Sequence, residues 1–486
     1  METNSNTQKF ILKFFPEIMI KGASAKKKMT NQLYFNLIKI LGDISSDIAI
    51  KKFLDKIEVV TPKQYLTEVR IKLINTPGIE QILEALQFDQ MDTIDKIKIQ
   101  VEKIVKEQIN NKTFVVRVKR SGNHTFKSPE LERAVGGYIL SRNPTSKVDL
   151  HNPQEKISIE LLNNQLNIIT ARYAGLGGFP IGTQGDILSL MSGGFDSTVA
   201  SYLTIKRGIK THFVFFNLGG IAHEIGVKQV ALHLCNMFQS SHKISFISIP
   251  FDKVLEEIFN STPASYMGVT LKRLMLKASS QIAKSMDIDA LLTGESVAQV
   301  SSQTLRNLAL IDQACDMLVL RPLSTMNKPE IIDISAKIGT KYFAQNMPEY
   351  CGVISQNPIT HGSYKRMEEV SKKFNYDILD QAVKNATIIS VDDIEDDVKN
   401  IAQVDVISDI SSGKYTIIDI RQDAEPLQID ATVLNIPFYK INNEFMKLPQ
   451  NKEYLFYCDK GIMSQLHAQY LIDAHNCKNL KVYRPI

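Results

Sequence analysis

The sequence predicts a multidomain α/β protein, with α+β modules in its first third, a doubly wound parallel sheet in the middle and a small α/β domain at the end. Three observations support this prediction. The 486 residues are enough for about three domains. From residue 186 onward, apolar strand-like runs alternate with helical patterns, which is typical of parallel sheets with helical crossovers. A Gly-rich run at residues 175–185 separates this region from the residues before it.

Composition narrows the class of protein. Hydrophobic residues make up 44% of the chain and charged residues 22%, which are the usual values of globular proteins. No apolar run reaches the ~20 residues of a membrane span, and residues 1–15 lack the three regions of a signal peptide. We therefore expect a cytoplasmic protein with no membrane partner, whose five cysteines form no disulfide framework.

Positive charge is concentrated in the first 180 residues. They hold 27 Lys/Arg against 19 Asp/Glu, whereas the other residues hold 30 against 33. Such a surface favours contacts with nucleic-acid phosphates, although ordinary solvation explains the same surplus. The residues predicted to lie near RNA phosphates are Lys26, Lys27, Lys28, Arg117, Lys119, Arg120, Lys127 and Arg133.

The first third has an α/β order of elements. Residue patterns predict strands at Lys9–Phe15, Tyr65–Leu73 and Thr113–Val118, and helices at Gly78–Phe88 and Thr93–Asn110. This order and the exit run RYAGLGGFPIGTQG resemble a ferredoxin-like domain followed by a THUMP domain and its linker. THUMP domains occur in RNA-modifying enzymes and bind the acceptor end of tRNA, so the resemblance implies a tRNA partner. The corresponding bounds are 1–60 for the first domain, 61–174 for the THUMP domain and 175–185 for the linker.

A strand that enters a Gly-rich turn opens the middle region. Residues 187–201 have the sequence ILSLMSGGFDSTVAS, in which an apolar run is followed by the turn and by a helical pattern. Glycines let backbone N–H groups approach an anion, and a helix N-terminus adds partial positive charge. No Lys follows the second Gly, so this is not the loop that holds an intact triphosphate. An ordinary strand–turn–helix corner is the alternative. SGGFDS resembles the PP-loop of the N-type ATP pyrophosphatases, which cleave ATP to AMP and pyrophosphate.

Longer segments of the chain resemble one family. They are FFNLGGIAHEIGVKQVA (215–231), GVTLKRLMLKAS (268–279), LLTGESVAQVSSQTLRNL (291–308), LRPLSTMNKPEII (320–332) and MPEYCGVIS (347–355). With these segments the chain is similar to the tRNA 4-thiouridine synthetases, a family of tRNA sulfurtransferases that also serve in thiamine thiazole synthesis. The resemblance covers nearly the whole chain.

The resemblance implies an ATP site in a PP-loop pyrophosphatase domain at residues 186–395. Asp196 is expected to bind Mg²⁺ or to maintain the phosphate-binding geometry of the turn. Lys328 is expected to neutralise charge that develops on the phosphates. Without the resemblance, Lys272 is an ordinary solvated charge, Gln303 a surface polar residue and Gly294 a turn residue. The implied ATP-binding residues are Leu190, Met191, Ser192, Gly193, Gly194, Ser197, Lys272, Gly294 and Gln303.

Residues 396–486 resemble a rhodanese domain. Predicted strands at Tyr415–Ile420 and Tyr454–Tyr457 lead to the loop CDKGIMS, which opens with Cys458 and enters a helix. The helix dipole and the loop N–H groups stabilise a thiolate at such a position. A buried strand-end cysteine is the alternative for Cys458. Cys351, between Pro and Gly in PEYCG, is predicted to be an accessible reactive thiol rather than a buried apolar residue.

The resemblance implies a two-stage reaction. A cysteine desulfurase passes sulfur to Cys458 as a persulfide, and ATP with Mg²⁺ adenylates the C4 oxygen of uridine 8 of tRNA. Sulfur then replaces that oxygen, directly from Cys458 or as sulfide released by Cys351, and a cellular reductant reopens the resulting Cys351–Cys458 disulfide. The thiamine sulfur carrier protein is a further implied partner. A different PP-loop tRNA thiolase or ligase with an accessory rhodanese domain stays open, as does an RNA-binding protein that only senses ATP.

Overall fold

The computed structural model contains three β-sheets within the residues that it describes. Those residues are 6–218, 221–345, 347, 357–394, 404–410, 414–421, 427, 429, 431–436, 438–458 and 462–485. The chain divides into two units, Met1–Thr183 and Gln184–Ile486, with one sheet in the first unit and two in the second. Across the described ranges, no helix is long and apolar enough to span a membrane.

One eight-stranded sheet forms the first unit, in the order β2-β3-β1-β4-β8-β7-β5-β6. β4 pairs antiparallel with both β1 and β8, so the predicted boundary at residue 60 lies within one hydrogen-bonded sheet. The elements, in chain order, are β1 (Thr7–Phe14), α1 (Pro16–Met19), α2 (Ala23–Gly42), β2 (Ala49–Lys52), β3 (Lys56–Pro62), α3 (Leu66–Ile74), β4 (Ile79–Phe88), α4 (Ile94–Ile109), β5 (Thr113–Ser121), α5 (Ser128–Arg142), β6 (Lys147–Val148), β7 (Glu155–Leu162) and β8 (Gln165–Ala174).

Two predicted elements in this unit are wrong. Tyr65–Leu73, predicted as a strand, is mostly helix α3, in which Val69 and Leu73 are buried one turn apart. Gly78–Phe88, predicted as a helix, contains the strand β4. β4 lies between two strands and has buried residues on both sides, so it lacks the alternation that marks a half-exposed strand. A register shift between Glu84 and Ala85 disturbs the pattern further.

The middle domain is a doubly wound sheet in the order β13-β12-β9-β10-β11-β14. All neighbours pair in parallel except β14, which is antiparallel to β11. The strand order reverses beside β9, and ligands bind at such a switch point. The elements are β9 (Asp186–Leu190), α6 (Phe195–Lys206), β10 (Lys210–Asn217), α7 (Ile221–Leu234), β11 (Ser245–Pro250), α8 (Asp252–Ser261), α9 (Met267–Ser285), β12 (Ala290–Leu292), α10 (Leu305–Asp312), β13 (Leu318–Leu320), α11 (Lys328–Lys337), α12 (Lys341–Gln345), α13 (Tyr364–Lys373), α14 (Tyr376–Lys384) and β14 (Thr387–Ser390).

A five-stranded parallel sheet forms the end of the chain, in the order β15-β19-β18-β16-β17. Its elements are β15 (Val406–Ile407), β16 (Tyr415–Asp419), β17 (Thr432–Asn435), α15 (Phe438–Phe445), β18 (Glu453–Tyr457), α16 (Ile462–His475) and β19 (Leu480–Tyr483). Helix α16 packs against α7 of the middle domain. The predicted fold class, with α+β modules followed by two α/β domains, is confirmed.

Candidate nucleotide-binding site

The turn after β9 is held to the first turn of α6 by side-chain hydrogen bonds. The Ser192 N–H donates to Ser197 Oγ at 3.2 Å, and the two hydroxyl oxygens lie 3.1 Å apart. Gly193 has φ of +79°, which favours glycine. Gly194 precedes α6, and no side chain among the described residues caps that helix start. The first N–H groups of α6 are therefore placed to receive an anion.

Gly294 permits the close approach of β12 to α6. A methyl group placed on Gly294 would lie 2.5 Å from the Asp196 carbonyl carbon and 2.6 Å from the Ser197 nitrogen. These are backbone atoms of a helix, so they cannot move aside as the end of a flexible side chain does. Glycine is therefore required here by the packing of two segments, which excludes its interpretation as an ordinary turn residue.

Asp196 and Lys328 meet at the mouth of the turn although 132 residues separate them. Lys328 Nζ donates to both Asp196 carboxylate oxygens at 2.9 Å, and Gln299 Nε2 donates to Oδ2 at 2.9 Å. The described residues contain no cluster of three or more His, Cys, Asp or Glu side chains that could hold a metal ion. Mg²⁺ is commonly bound by one carboxylate together with the phosphate oxygens of a substrate. The Asp196 carboxylate therefore suits a Mg²⁺ ion that binds together with a nucleotide.

Lys272 is held in the cavity wall by a buried carboxylate. Its Nζ lies 2.8 Å from Glu295 Oε1, while Glu295 Oε2 accepts from Arg321 Nε at 2.7 Å. Burial favours the neutral acid, but the charges of Lys272 and Arg321 outweigh it and hold the pKa of Glu295 below its ordinary value. Neither Glu295 nor Arg321 was predicted as a site residue from the sequence, although both lie in the segments that carry the family resemblance.

Gln303 is a buried residue rather than a surface one. Its side chain is 8% exposed, and its Oε1 has no hydrogen-bond partner in the part of the chain that the structure describes. An unpaired buried acceptor costs about 1–3 kcal/mol. A ligand that donates a hydrogen bond to this oxygen removes that cost.

These residues line one cavity with a volume of about 690 Å³, which is within the range of small-molecule sites. Gly193 lies in the turn but does not line the cavity. The predicted residues that do so are Leu190, Met191, Ser192, Gly194, Asp196, Ser197, Lys272, Gly294, Gln303 and Lys328. The structure thus brings the predicted residues together, and their individual roles stay predictions. Met347, which was not predicted as a site residue from the sequence, also lines the cavity.

Cys458 lies between the end of β18 and the start of α16. It is 9% exposed, the Ser464 N–H donates to its Sγ at 3.4 Å, and the Ser464 hydroxyl lies 3.3 Å from the same sulfur. Donors in the first turn of a helix suit a thiolate or a persulfide anion. Cys351, the second predicted thiol, lies outside the described residues.

The helix α7, on which α16 packs, contacts the Gly-rich turn through His223. The Nε2 atom of His223 is 3.2 Å from the Ser192 carbonyl oxygen.

The basic residues of the first unit that are predicted to contact RNA differ in the solvent exposure of their side chains. Arg117 donates to the carbonyl oxygens of Val116 and Leu150, and Arg120 NH1 lies 3.0 Å from His124 Nδ1. Both arginines and Lys26 are half-buried. The exposed members of the predicted RNA-binding set are Lys27, Lys28, Lys119, Lys127 and Arg133.

A Gly-rich turn at the switch point of a doubly wound sheet, which follows an α+β unit in the sequence, defines a multidomain protein of the nucleotide-binding α/β class. The family model "Thiamine biosynthesis protein (ThiI)" matches residues 182–376, and the THUMP domain model matches residues 92–170. A tRNA sulfurtransferase from Vibrio vulnificus (strain YJ016) is 47% identical over 484 residues, covering 98% of this chain and 100% of that protein. A tRNA sulfurtransferase from Saccharophagus degradans is 45% identical over 486 residues, with 98% and 100% covered.

The chain therefore belongs to the tRNA sulfurtransferase family, and the predictions of this family and of an enzyme within it are confirmed. The fold is similar to that of a 4-thiouridine synthetase solved in complex with RNA and bound ATP. That structure has a TM-score of 0.71 and 24% identity, and the match covers 79% of this chain and 99% of that chain.

Proposed function

We propose that the protein thiolates tRNA with the use of ATP, converting uridine 8 to 4-thiouridine. The observation that carries the proposal is the single cavity that joins the Gly-rich turn, the Asp196–Lys328 pair and the unpaired amide oxygen of Gln303. The relatives named tRNA sulfurtransferases, and the similar fold solved with RNA and ATP, support it.

In the first stage, the uridine C4 oxygen attacks the α-phosphorus of ATP, and pyrophosphate leaves. The N–H groups at the start of α6 and the ammonium of Lys328 stabilise the negative charge that moves toward the leaving phosphates. Mg²⁺, held by Asp196 and the phosphate oxygens, would supply further charge neutralisation. The product is a uridine with AMP on its C4 oxygen, and AMP is a far better leaving group than hydroxide.

In the second stage, sulfur replaces that oxygen and AMP departs. The outer sulfur of the Cys458 persulfide bonds to C4, either directly or as sulfide released by Cys351. In both routes the Cys351 thiolate attacks Cys458 Sγ and breaks the persulfide S–S bond. The transferred sulfur gains two electrons, the two cysteines lose two, and they end as a disulfide. A cellular dithiol reductant returns the two electrons and restores both thiols.

The proposal includes the remaining predicted partners and the domain division. A cysteine desulfurase loads Cys458, and the thiamine sulfur carrier protein is a second sulfur acceptor. The exposed basic residues of the first unit contact tRNA phosphates. We assign the first unit to a ferredoxin-like domain followed by a THUMP domain, residues 175–185 to a linker, 186–395 to the PP-loop domain and 396–486 to a rhodanese domain, in a cytoplasmic protein.

The test measures nucleosides by mass spectrometry in tRNA from cells whose only copy of the enzyme is a variant. Cys458→Ser should abolish 4-thiouridine because the sulfur carrier is gone. Cys477→Ser is the matched control, since Cys477 is also buried in the same hydrophobic cluster but has no assigned role. Wild-type levels of 4-thiouridine with Cys458→Ser would refute the sulfur role of Cys458. Loss of a different thiolated nucleoside, with 4-thiouridine unchanged, would favour the alternative thiolase.

A further inference from the structure

Asn307 joins two parts of the cavity wall through one buried side-chain amide. It is completely buried and lies in the first turn of α10. Its Nδ2 donates to the carbonyl oxygens of Ser301 and Ile359, both at 2.8 Å, and its Oδ1 accepts from the Gly362 N–H at 3.1 Å. Ser301 and Ile359 line the nucleotide cavity, whereas Asn307 is not among the described residues that line it.

These three hydrogen bonds fix the orientation of the Asn307 amide. An asparagine side chain has two N–H donors on its nitrogen and an acceptor oxygen. With the amide reversed, the oxygen would face two carbonyl oxygens and the nitrogen would face an N–H group. Both donors are therefore needed where they are, and a carboxylate at this position could not replace them.

Residues 357–363 are held to α10 by further hydrogen bonds. The Thr304 hydroxyl, at the N-cap of α10, donates to the Thr360 carbonyl oxygen at 2.7 Å. Arg306 Nε donates to the Gly362 carbonyl oxygen at 3.0 Å. Successive residues of the segment are thus fastened to one helix, so the segment is a firm support for the cavity wall.

Gln303 lies between two residues that Asn307 contacts. The Asn307 side chain holds Ser301, and the Asn307 backbone N–H donates to Thr304 Oγ1 at 3.2 Å. Gln303 ends the short turn that begins at Ser301, and it directly precedes Thr304. The chain on both sides of Gln303 is therefore anchored by the same residue. A binding group is effective when neighbouring hydrogen bonds hold it in the productive position.

We propose that Asn307 is a positioning residue for Gln303, which it holds in the cavity wall by joining the turn at Ser301 to residues 357–363. The inference rests on the proposed binding of ATP in this cavity. A side chain that is held in place before binding loses less entropy when it pairs with a ligand, so loss of the anchor weakens nucleotide binding. Because Asn307 acts through Gln303, its loss should matter little once the Gln303 amide has been removed.

The experiment measures the affinity of the full-length protein for α,β-methylene-ATP with Mg²⁺ by titration calorimetry. This analogue has no cleavable bond between its α- and β-phosphates, so binding is measured without the reaction. Gln303→Ala and Asn307→Ala should each raise the Kd about fivefold, the equivalent of one hydrogen bond. The double variant should match the weaker single variant within about twofold. A wild-type Kd in folded Asn307→Ala would overturn the proposal, as would an increase in the double variant equal to the product of the two single effects.

Gln239→Ala is the matched control for loss of a buried amide. Gln239 is completely buried in the same domain, where its Oε1 accepts from the Thr211 N–H at 3.3 Å and its Nε2 donates to the Thr211 carbonyl oxygen at 3.1 Å. It is not among the described residues that line the cavity. Gln239→Ala should lower the midpoint of thermal unfolding, as Asn307→Ala does, but leave the Kd for the analogue unchanged. An equal rise of the Kd in both variants would indicate a general loss of stability and would refute positioning.

Thr304 provides a second test that does not depend on the folding of Asn307→Ala. Thr304→Val removes the hydroxyl that joins α10 to Thr360 at nearly constant volume, whereas Thr304→Ser retains it. Thr304→Val should raise the Kd for the analogue, and Thr304→Ser should keep the wild-type value. Equal Kd values in these two variants would contradict a support that acts through α10.

The wild-type protein separates failure of this inference from failure of the proposed function. If the wild-type protein does not bind the analogue, the proposed use of ATP is wrong. If the wild-type protein binds it and folded Asn307→Ala binds it equally well, the positioning role of Asn307 is wrong and the proposed function stands.

Discussion

Gly294→Ala is the substitution that most directly tests the architecture of the cavity. The added methyl group would lie 2.5 Å from the Asp196 carbonyl carbon, 2.6 Å from the Ser197 nitrogen and 2.7 Å from the Asp196 carbonyl oxygen. Relief of the shortest contact to 3.4 Å requires a movement of about 1 Å between β12 and the first turn of α6. All three atoms belong to the backbone that carries Asp196 and Ser197.

The expected result is a large loss of activity with a moderate loss of stability. A misplacement of about 1 Å at a reacting site costs on the order of 10²-fold in rate, and overpacking costs about 1–3 kcal/mol of unfolding free energy. The assay is tRNA-dependent formation of AMP and pyrophosphate at varied ATP concentration, with urea unfolding measured in parallel.

Gly137→Ala is the matched control, because it makes the same chemical change in open space. Apart from its chain neighbours and the backbone of its own helix, no atom of the described residues lies within 4 Å of a methyl group at Gly137, which is exposed in α5. Alanine there should stabilise the helix by about 0.5–1 kcal/mol and leave ATP cleavage unchanged. Wild-type kcat/KM for ATP in folded Gly294→Ala would refute the argument that the close approach positions Asp196.

Other predictions concern catalysis, strain, pH and RNA. Asp196→Ala should abolish AMP and pyrophosphate formation, and retained cleavage would contradict its assignment. Ala298 has φ of +66°, so Ala298→Gly should raise the unfolding free energy by about 1 kcal/mol in urea titrations; a decrease would oppose the strain argument. Burial lowers the pKa of His467 to about 4, so only the unfolded chain binds this proton between about pH 4 and 6.5. The unfolding free energy should therefore fall by up to about 3 kcal/mol as the pH drops through this window, and His467→Gln should flatten the slope; an equal slope in both proteins would refute it. Lys119→Glu with Lys127→Glu should weaken tRNA binding and reduce its salt dependence, whereas a flat salt response of the wild-type protein would exclude phosphate contacts by this unit.

Sequence patterns predicted site residues well where those residues are adjacent or nearly adjacent in the chain. The turn from Ser192 to Ser197 was recognisable because its glycines, hydroxyls and following helix are contiguous. Cys458 was recognisable because it joins a buried strand to a helix start, and the structure places Ser464 donors on its sulfur. The strand and helix order from residue 186 onward was also predicted from periodicity.

Sequence patterns predicted the wrong secondary structure where a strand is buried on both faces, because its apolar residues then do not alternate with polar ones. β4 lies between β1 and β8, and burial on both of its faces removes the alternation that marks a half-exposed strand. Several site residues were also missed, because Glu295 and Arg321 pair across two strand ends and Gln299 reaches Asp196 from a loop 103 residues away. Charged and amide side chains of this kind have no local signature that separates them from a solvated surface.

The sequence by itself determined the alternation of strands and helices from residue 186 onward, the prediction that the Gly-rich turn binds phosphate, the candidate thiols and the resemblance to the family. These features depend on residues that are adjacent or a few positions apart. The tertiary structure alone decided that Gly294 is required by contact with α6, that Lys328 contacts Asp196, and that Gln303 is buried in the wall of the cavity. Such distances join segments far apart in the chain, and they follow from how the sheet and its helices pack rather than from any local periodicity.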